Sequence, residues 1–331
     1  MNKIKRIAVI CSGGDSQGMN TCIKTIVNVC TVHNIEVYAF NRGYQGLIEN
    51  DIIKLNNEMV ENIGHLGGCF IKVARSKEFL EQEGKQKAFN NIYKNEIDGV
   101  ILIGGNGSFH GALEFVKVGI PIIGIPGTID NDLYYTDRTL GFDTAVNNAV
   151  KAIDNIKQTM LANSRGIVIR VMGRDCGAIA LNVAVACNAH ALSVKEVPKT
   201  IDQIIDDLKV CMNNGVESPL VILNDYIEYS VEDVQKAMEK HLRIETRGST
   251  LGYIQRGGSP SVEDRLLATQ FGLTAVELLI NGKTDLAVGV RNRNIISISL
   301  MQALQIKEEF DYSLYNQLRD LQRIKKDNNN F

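Results

Sequence analysis

The sequence predicts an α/β protein built as two doubly wound, Rossmann-like lobes. Three observations carry that reading. Short continuous apolar runs rich in Ile and Val alternate with amphipathic helical stretches, glycine-rich turns follow several of those runs, and 331 residues exceed what one compact core usually covers.

The runs at 7–11, 37–40, 99–103, 120–125, 167–172, 220–223 and 286–290 read as parallel strands covered on both faces. Helices fill the gaps. Asp143 is a candidate cap for one with the stripe Val146, Ala149, Val150, Ile153, Ile156 and Met160. Thr200 and Gln203 form a capping box before the face Ile201, Ile204, Ile205, Leu208 and Met212, and Asn213-Asn214-Gly215 stops that helix. Ser230 and Asp233 mark a third start. Alternating strands and helices make a parallel sheet, and such sheets bind ligands beyond the carboxyl ends of their strands.

Bulk properties narrow the function. A hydrophobic content of 44% supports a sizeable core, and a net charge of −2 argues against nucleic acid or a polybasic membrane surface. The seven cysteines show no CxxC spacing; Cys11, Cys22, Cys30 and Cys187 sit in apolar stretches and read as small core residues. MNKIKRIAVIC is basic then apolar, but its apolar run of five residues is too short for a signal peptide, so reduced thiols and a cytoplasmic location are expected. The polar tail KKDNNNF is expected to fray.

Several loops stand at the strand ends. SGGDSQGMN (12–20) opens a helix, where free N–H groups and glycines suit a phosphate, although a tight turn needs glycine anyway. GGNGS (104–108) repeats the pattern. With Gly111 it gives a loose GxGxxxG that raises a nicotinamide reading with Asp130 as the ribose acid, which the next loop disfavours. That loop, PGTIDND (126–132), packs two acids beside a threonine: a general base and a metal ligand, or a solvated Asx turn. VMGRDCG (171–177) sets a guanidinium against a close-approach backbone, and ETRGSTLGYIQRGGSP (245–260) adds Arg247 and Arg256. Arginine forks suit phosphate oxygens; Arg75, Arg165, Arg174, Arg247 and Arg256, all near loops, point to a doubly phosphorylated reaction centre. NGKT (281–284) is not a Walker A loop, because its first glycine would fall on Glu277 within a helical stretch.

SGGDSQGMN, PGTIDND, VMGR and LGYIQRGGSP, in this order, resemble the bacterial-type ATP-dependent 6-phosphofructokinase family over residues 4–305. The resemblance implies two lobes with the active site between them: 1–141 plus 255–305 for the nucleotide, and 142–254 plus 306–331 for the sugar phosphate. It implies ATP and Mg²⁺, fructose 6-phosphate as acceptor, and a homotetramer with shared active sites or a mixed assembly with a paralogue. Asp130 becomes the base at the sugar 1-hydroxyl, Thr128 holds the sugar or the phosphoryl group, and Arg174 and Arg75 neutralise charge in transfer. Gly14, Arg75, Ser76, Gly105, Asn106, Gly107 and Ser108 line the nucleotide, and Asn106 and Asp132 face the metal. Ile129, Met172, Gly173, Asp225 and Tyr253 contact the sugar phosphate. Arg165, Arg247 and Arg256 bind its 6-phosphate, the first two from a neighbouring subunit. Gly107 and Gly127 keep room for ATP where pyrophosphate-using relatives carry an acid and a lysine.

The departures cluster. Asn106 stands where the family has an aspartate. Lys72 and Val73 replace small residues, Ser76 replaces an aromatic, Tyr253 a histidine and Asp225 a glutamate. At the family's effector positions Lys24 keeps a charge, but Asn28, Asp51, His190 and NNGVESP (213–219) do not, so the usual control by ADP and phosphoenolpyruvate is expected to be absent or rewired. Asn106, Lys72 and Val73 together also admit a catalytically weakened or inactive paralogue acting as a regulatory or structural subunit. Tyr253 and Asp225 admit a different sugar-phosphate kinase.

Overall fold

The computed structural model describes residues 4–307 and 309–322; the tail 325–331 lies outside them. Two compact units emerge: unit 1 is Met1–Thr144 with Arg256–Glu308, and unit 2 is Ala145–Gln255 with Glu309–Phe331.

The first half of unit 1 runs β1 (Arg6–Ser12), α1 (Met19–Val32), β2 (Glu36–Phe40), α2 (Gly43–Glu49), β3 (Ile52–Leu55) and α3 (Asn57–Val60). It continues through α4 (Gln82–Lys94), β4 (Gly99–Gly104), α5 (Asn106–Lys117) and β5 (Ile122–Pro126). Helix α6 (Phe142–Leu161) leads into unit 2, which holds β6 (Gly166–Val171), α7 (Ala178–Ala186), β7 (Ala191–Ser193), α8 (Ile201–Asn213), β8 (Leu220–Asn224), α9 (Val231–Leu242) and β9 (Thr246–Thr250). The chain returns to unit 1 for α10 (Val262–Ile280), β10 (Leu286–Arg291), β11 (Asn294–Ser299) and α11 (Leu300–Gln305), and ends in unit 2 with α12 (Tyr312–Gln322).

Unit 1 has a seven-stranded sheet in the order β11-β10-β5-β4-β1-β2-β3, parallel except for its two edge strands. β4 and β5 are buried along their whole length, as strands covered on both faces must be. One face carries a core of α1 and α10 side chains, among them Met19, Ile23, Ile26, Phe271 and Val276; the other packs Leu47, Phe89, Phe109 and Phe115 from α2, α4 and α5. Each such side chain contributes about 1.5–3 kcal/mol. After β1 the chain winds one way to β2 and then returns to place β4 on the other side of β1. The sheet's switch point therefore lies between β1 and β4, where open α/β sheets form their ligand crevice.

Unit 2 has a four-stranded, all-parallel sheet in the order β7-β8-β6-β9. Ile204, Leu208, Val234 and Met238 of α8 and α9 pack on Val168, Val221 and Leu223. The boxes at Thr200–Gln203 and Ser230–Asp233 form as the sequence predicts. The short strands β3, β7, β9 and β11 were not among the apolar runs, because edge or near-edge positions ask for little apolar sequence.

Among the described residues no helix is long and apolar enough to cross a membrane. All seven cysteines are free thiols, and Cys11, Cys22, Cys30 and Cys187 are core residues as expected. Glu277 lies within α10, as the rejection of NGKT requires.

Candidate active site

In unit 1 the parallel register sets three loop origins side by side. Ser12 of β1 pairs with Gly104 of β4, which pairs with Pro126 of β5. The loops then interlock. Ser108 Oγ donates to the Ser12 carbonyl at 2.9 Å. A Cβ on Gly104 would lie 2.6 Å from the Ser108 side chain and 2.7 Å from the Ser12 oxygen, so only glycine fits there. A Cβ on Gly105 would come within 3.2 Å of Thr128 Cβ, so GGNGS rests directly on PGTIDND. Thr128 Oγ1 accepts from the Asp130 amide at 3.2 Å, and Thr139 closes the loop by donating to the Thr128 carbonyl at 2.6 Å. Asp130 is thereby held at 2% exposure, Ile129 is buried, and Asp132 is half-buried.

The remaining unit 1 candidates lie on α5, on the loop after β1 and on the segments before α4 and α10. Asn106 is the first residue of α5 and is exposed, as is Gly107, whose Cβ position is open to 4 Å. Arg256 lies over Gly14, where a Cβ would meet its Nη1 at 3.1 Å, and donates to the Asp15 carbonyl at 2.8 Å. It braces the SGGDSQGMN loop. Arg75 is exposed. Ser76 donates to Gln45 Oε1 at 2.7 Å and accepts from the Phe79 amide, so its hydroxyl stabilises the turn that follows. Lys72 takes a left-handed backbone (φ 58), a conformation that costs about 1–2 kcal/mol for any residue with a Cβ.

Three residues that the sequence did not single out support the loops. Tyr44 is buried under α5 and donates to the Ser108 carbonyl at 2.6 Å, with burial pushing its hydroxyl well above the ordinary tyrosine range. Asn20 donates to the Leu66 and Gly67 carbonyls and accepts from the Phe70 amide, tying the segment before Lys72 to α1. Asp264 accepts from the Gly141 and Thr144 amides. This corrects the cap expected for α6: Asp143 lies inside the first turn, and the acid receiving the start of that helix comes from α10. Asn20 and Asp264 had a faint signal, in a glycine loop and in S-x-x-D after Ser261; Tyr44 had none.

Unit 2 splits its candidates between the two ends of one sheet. At the carboxyl end of β6, the Met172 amide donates to Gln255 Oε1 at 3.2 Å. Gly173 is confined by the Cys176 carbonyl (2.5 Å from a would-be Cβ) and by Asn224 Nδ2. Asn224 is fully buried and donates to that carbonyl at 3.1 Å. Arg174 (φ 51) and Asp225 are exposed beside these anchors, and Tyr253 is 84% exposed.

Arg165 and Arg247 lie at the opposite, entry end of β6 and β9. The six residues of β6 separate Arg165 from Met172, about 20 Å of extended chain. Both arginines meet Glu245: Arg165 Nε is 2.8 Å from its Oε2, and Arg247 Nη2 pairs with its Oε1. The five arginines expected to share one centre do not gather on one set of strand ends within a chain. Of the effector positions, Lys24 donates to the Glu61 carbonyl, Asp51 is held by Arg42 and Asn41, and His190 Nδ1 accepts from the Leu220 amide.

A phosphofructokinase family model matches residues 6–279. The chain belongs to the phosphofructokinase family. It is 41% identical over 318 residues to the ATP-dependent 6-phosphofructokinase of Clostridioides difficile (strain 630), covering 96% of this chain and 99% of that one. It is 38% identical over 320 residues to the enzyme of the same name from Lactobacillus delbrueckii subsp. bulgaricus, covering 97% and 100%. Among solved structures, phosphofructokinase from Saccharomyces cerevisiae superposes with a TM-score of 0.84 at 29% identity; the match covers 96% of this chain and 47% of the yeast chain. A pyrophosphate-dependent phosphofructokinase from Marinobacter aquaeolei gives 0.81 at 21% identity, covering 98% and 93%, which shows the phosphofructokinase fold alone.

The donor set suits the metal expected of this family. Among the described residues no group of three or more His, Cys, Asp or Glu side chains is arranged to hold an ion. Unit 1 carries Asn106 just after β4 and Asp132 in the segment that follows the neighbouring strand β5. One or two carboxylates with substrate phosphates and retained waters is the way Mg²⁺ is usually held.

Proposed function

We infer that the chain transfers the γ-phosphoryl group of ATP to the 1-hydroxyl of fructose 6-phosphate, forming fructose 1,6-bisphosphate. One observation carries the reading: at the switch point of unit 1, three interlocked strand-end loops hold Asp130 buried, in a chain about 40% identical along its length to ATP-dependent 6-phosphofructokinases.

Phosphoryl transfer asks a protein for positioning and charge. Asp130 accepts the proton of the attacking hydroxyl, and Thr128 sets the angle of its loop. The α5 start at Gly105, Asn106 and Gly107 receives nucleotide phosphates on its amide groups, with Ser108 alongside. Open space at Gly107 supports ATP over pyrophosphate as donor. Arg75 and Arg174 offset charge on the transferring group. In unit 2, Met172, Gly173, Asp225 and Tyr253 receive the sugar. Asp132 and Asn106 would hold Mg²⁺, which when bound would supply neutralising charge at the phosphates. The asparagine weakens that hold and leaves the base intact. The 20 Å between Arg165 and Met172 supports a homo-oligomer in which Arg165 and Arg247 serve the 6-phosphate in a neighbouring copy's site. The reading places the reaction in the cytoplasm, as a step of glycolysis.

A coupled assay of fructose 1,6-bisphosphate formation tests this. The expected outcome is Mg²⁺-dependent turnover with ATP, little with pyrophosphate, and none in Asp130→Ala. Equal turnover in wild type and Asp130→Ala, or activity confined to another phosphosugar, would overturn it.

A further inference from the structure

We propose that Glu245 is the positioning residue of the phosphate-binding arginine pair: its carboxylate presents Arg165 and Arg247 to a phosphate monoester at the entry end of the unit 2 sheet. This rests on the reading above, in which that phosphate is the 6-phosphate of the sugar.

The backbone fixes the three residues together. β6 and β9 run parallel with Gly166 opposite Thr246, and the Gly166 amide donates to the Glu245 carbonyl at 2.8 Å. Arg165 and Glu245 thus begin adjacent strands at the same level, with Arg247 two residues further on. Each carboxylate oxygen then takes a different arginine.

The two guanidiniums are held differently. Arg165 brings its Nε within 2.8 Å of a Glu245 carboxylate oxygen, so the acid fixes where this guanidinium sits; a guanidinium held in place can offer a phosphate two parallel N–H donors. Arg247 spends Nη2 on Glu245 and Nη1 on the Thr246 carbonyl at 3.0 Å, which pins it beside its partner. Two like charges on neighbouring strands would otherwise splay apart, and a flexible arginine gives up rotamer freedom when it binds. Glu245 removes both difficulties before the ligand arrives. Arg165 and Arg247 in turn hold its carboxyl below the ordinary range, so it remains an anion wherever the protein is folded and active. An isolated surface ion pair contributes little to stability; the role of this one lies in the shape it imposes on two cations.

The test uses the full-length protein with Glu245→Ala, Glu245→Gln, the double variant Arg165→Ala/Arg247→Ala, and the triple variant adding Glu245→Ala. Fructose 6-phosphate affinity is read both as KM and by calorimetric titration, which needs no turnover. Glu245→Ala is expected to raise KM and Kd for fructose 6-phosphate about tenfold, with kcat within twofold and KM for ATP unchanged. Glu245→Gln recovers part of the loss, because its amide oxygen keeps a partial negative charge facing Arg165. In the background lacking both arginines, Glu245→Ala adds nothing. Unchanged affinity in Glu245→Ala, or the same loss with and without the arginines, overturns the proposal. If the arginine double variant itself binds fructose 6-phosphate like wild type, the 6-phosphate reading falls and the proposal with it; if it binds poorly while Glu245→Ala binds normally, only the proposal falls.

Discussion

Replacing Tyr44 with phenylalanine removes one oxygen from beneath the GGNGS loop and leaves the packing in place. The ring stacks on Phe79 at 4.1 Å and 4°, and a phenyl ring at the same position would keep that stack. What is lost is the 2.6 Å bond to the Ser108 carbonyl. That carbonyl lies in the first turn of α5 and keeps its helical role as an acceptor, so it is not left bare. The cost is then one net hydrogen bond, about 1 kcal/mol, rather than the larger penalty of an orphaned buried group. For a unit of this size such a loss lowers the thermal midpoint by roughly 2–4 °C. The functional effect follows from position. The ring is wedged against Gly111, where a Cβ would meet it at 2.7 Å, so it props the helix whose first residues are Asn106, Gly107 and Ser108. The KM for ATP is expected to rise about three- to tenfold, with the KM for fructose 6-phosphate unchanged. Tyr135→Phe is the control: its ring lies 6.1 Å from Phe109 of α5, but the buried hydroxyl it would lose donates to the Val288 carbonyl on β10 at 2.7 Å and not to α5. Thermal melts and steady-state kinetics of both variants decide the matter. Equal shifts in ATP KM would refute the local argument, and a Tyr44→Phe protein as stable as wild type would refute the energetic one.

Other outcomes follow from the same geometry. Asp130→Asn keeps the loop bonds and removes the base; kcat should fall at least a hundredfold while both substrates still bind, as titration can check. Asn106→Asp restores a charge facing a dication, roughly 8 kcal/mol gross at ~4 Å and an effective dielectric near 20, most of it offset by desolvation. Activity titrated against Mg²⁺ should reach half-maximum at about tenfold lower metal, and an unchanged curve would mean that Asn106 does not face the ion. Refolding Asp130→Ala chains with Arg247→Ala chains should recover activity that neither homo-oligomer has, since an undamaged site can form only in the mixture. Burial raises the folded pKa of Asp264, so its protonated form favours folding: the stability it contributes is present below the unfolded value of about 3.9 and is lost as pH rises through the raised one. Denaturant unfolding at several pH values should therefore show Asp264→Asn gaining on wild type as pH rises from the unfolded value through the raised one; a constant difference would contradict the linkage.

What the sequence reveals and what it hides divide along a physical line. Parallel strands buried on both faces must be continuous apolar runs, so β1, β4, β5, β6, β8 and β10 are legible, and the glycine loops at their carboxyl ends follow, because close backbone approach excludes a Cβ at Gly104 and Gly173. Residues acting through one long-range contact leave no periodic trace. Tyr44 reaches Ser108 across 64 positions, and Asp264 reaches Gly141 across 123. Charge presents the same limit in a sharper form. Five arginines near loops read in the sequence as one reaction centre, because composition counts cations without direction. The β6–β9 register supplies the direction: Arg165 and Arg247 enter the sheet where Met172 and Gly173 leave it. An arginine at the entry end of a strand, paired to an acid two residues before its neighbour, lies at the opposite end of that sheet from the glycine turn after β6. The spacing of Glu245, Thr246 and Arg247 recorded that arrangement all along, but only the pairing of β6 with β9 gives the spacing a meaning.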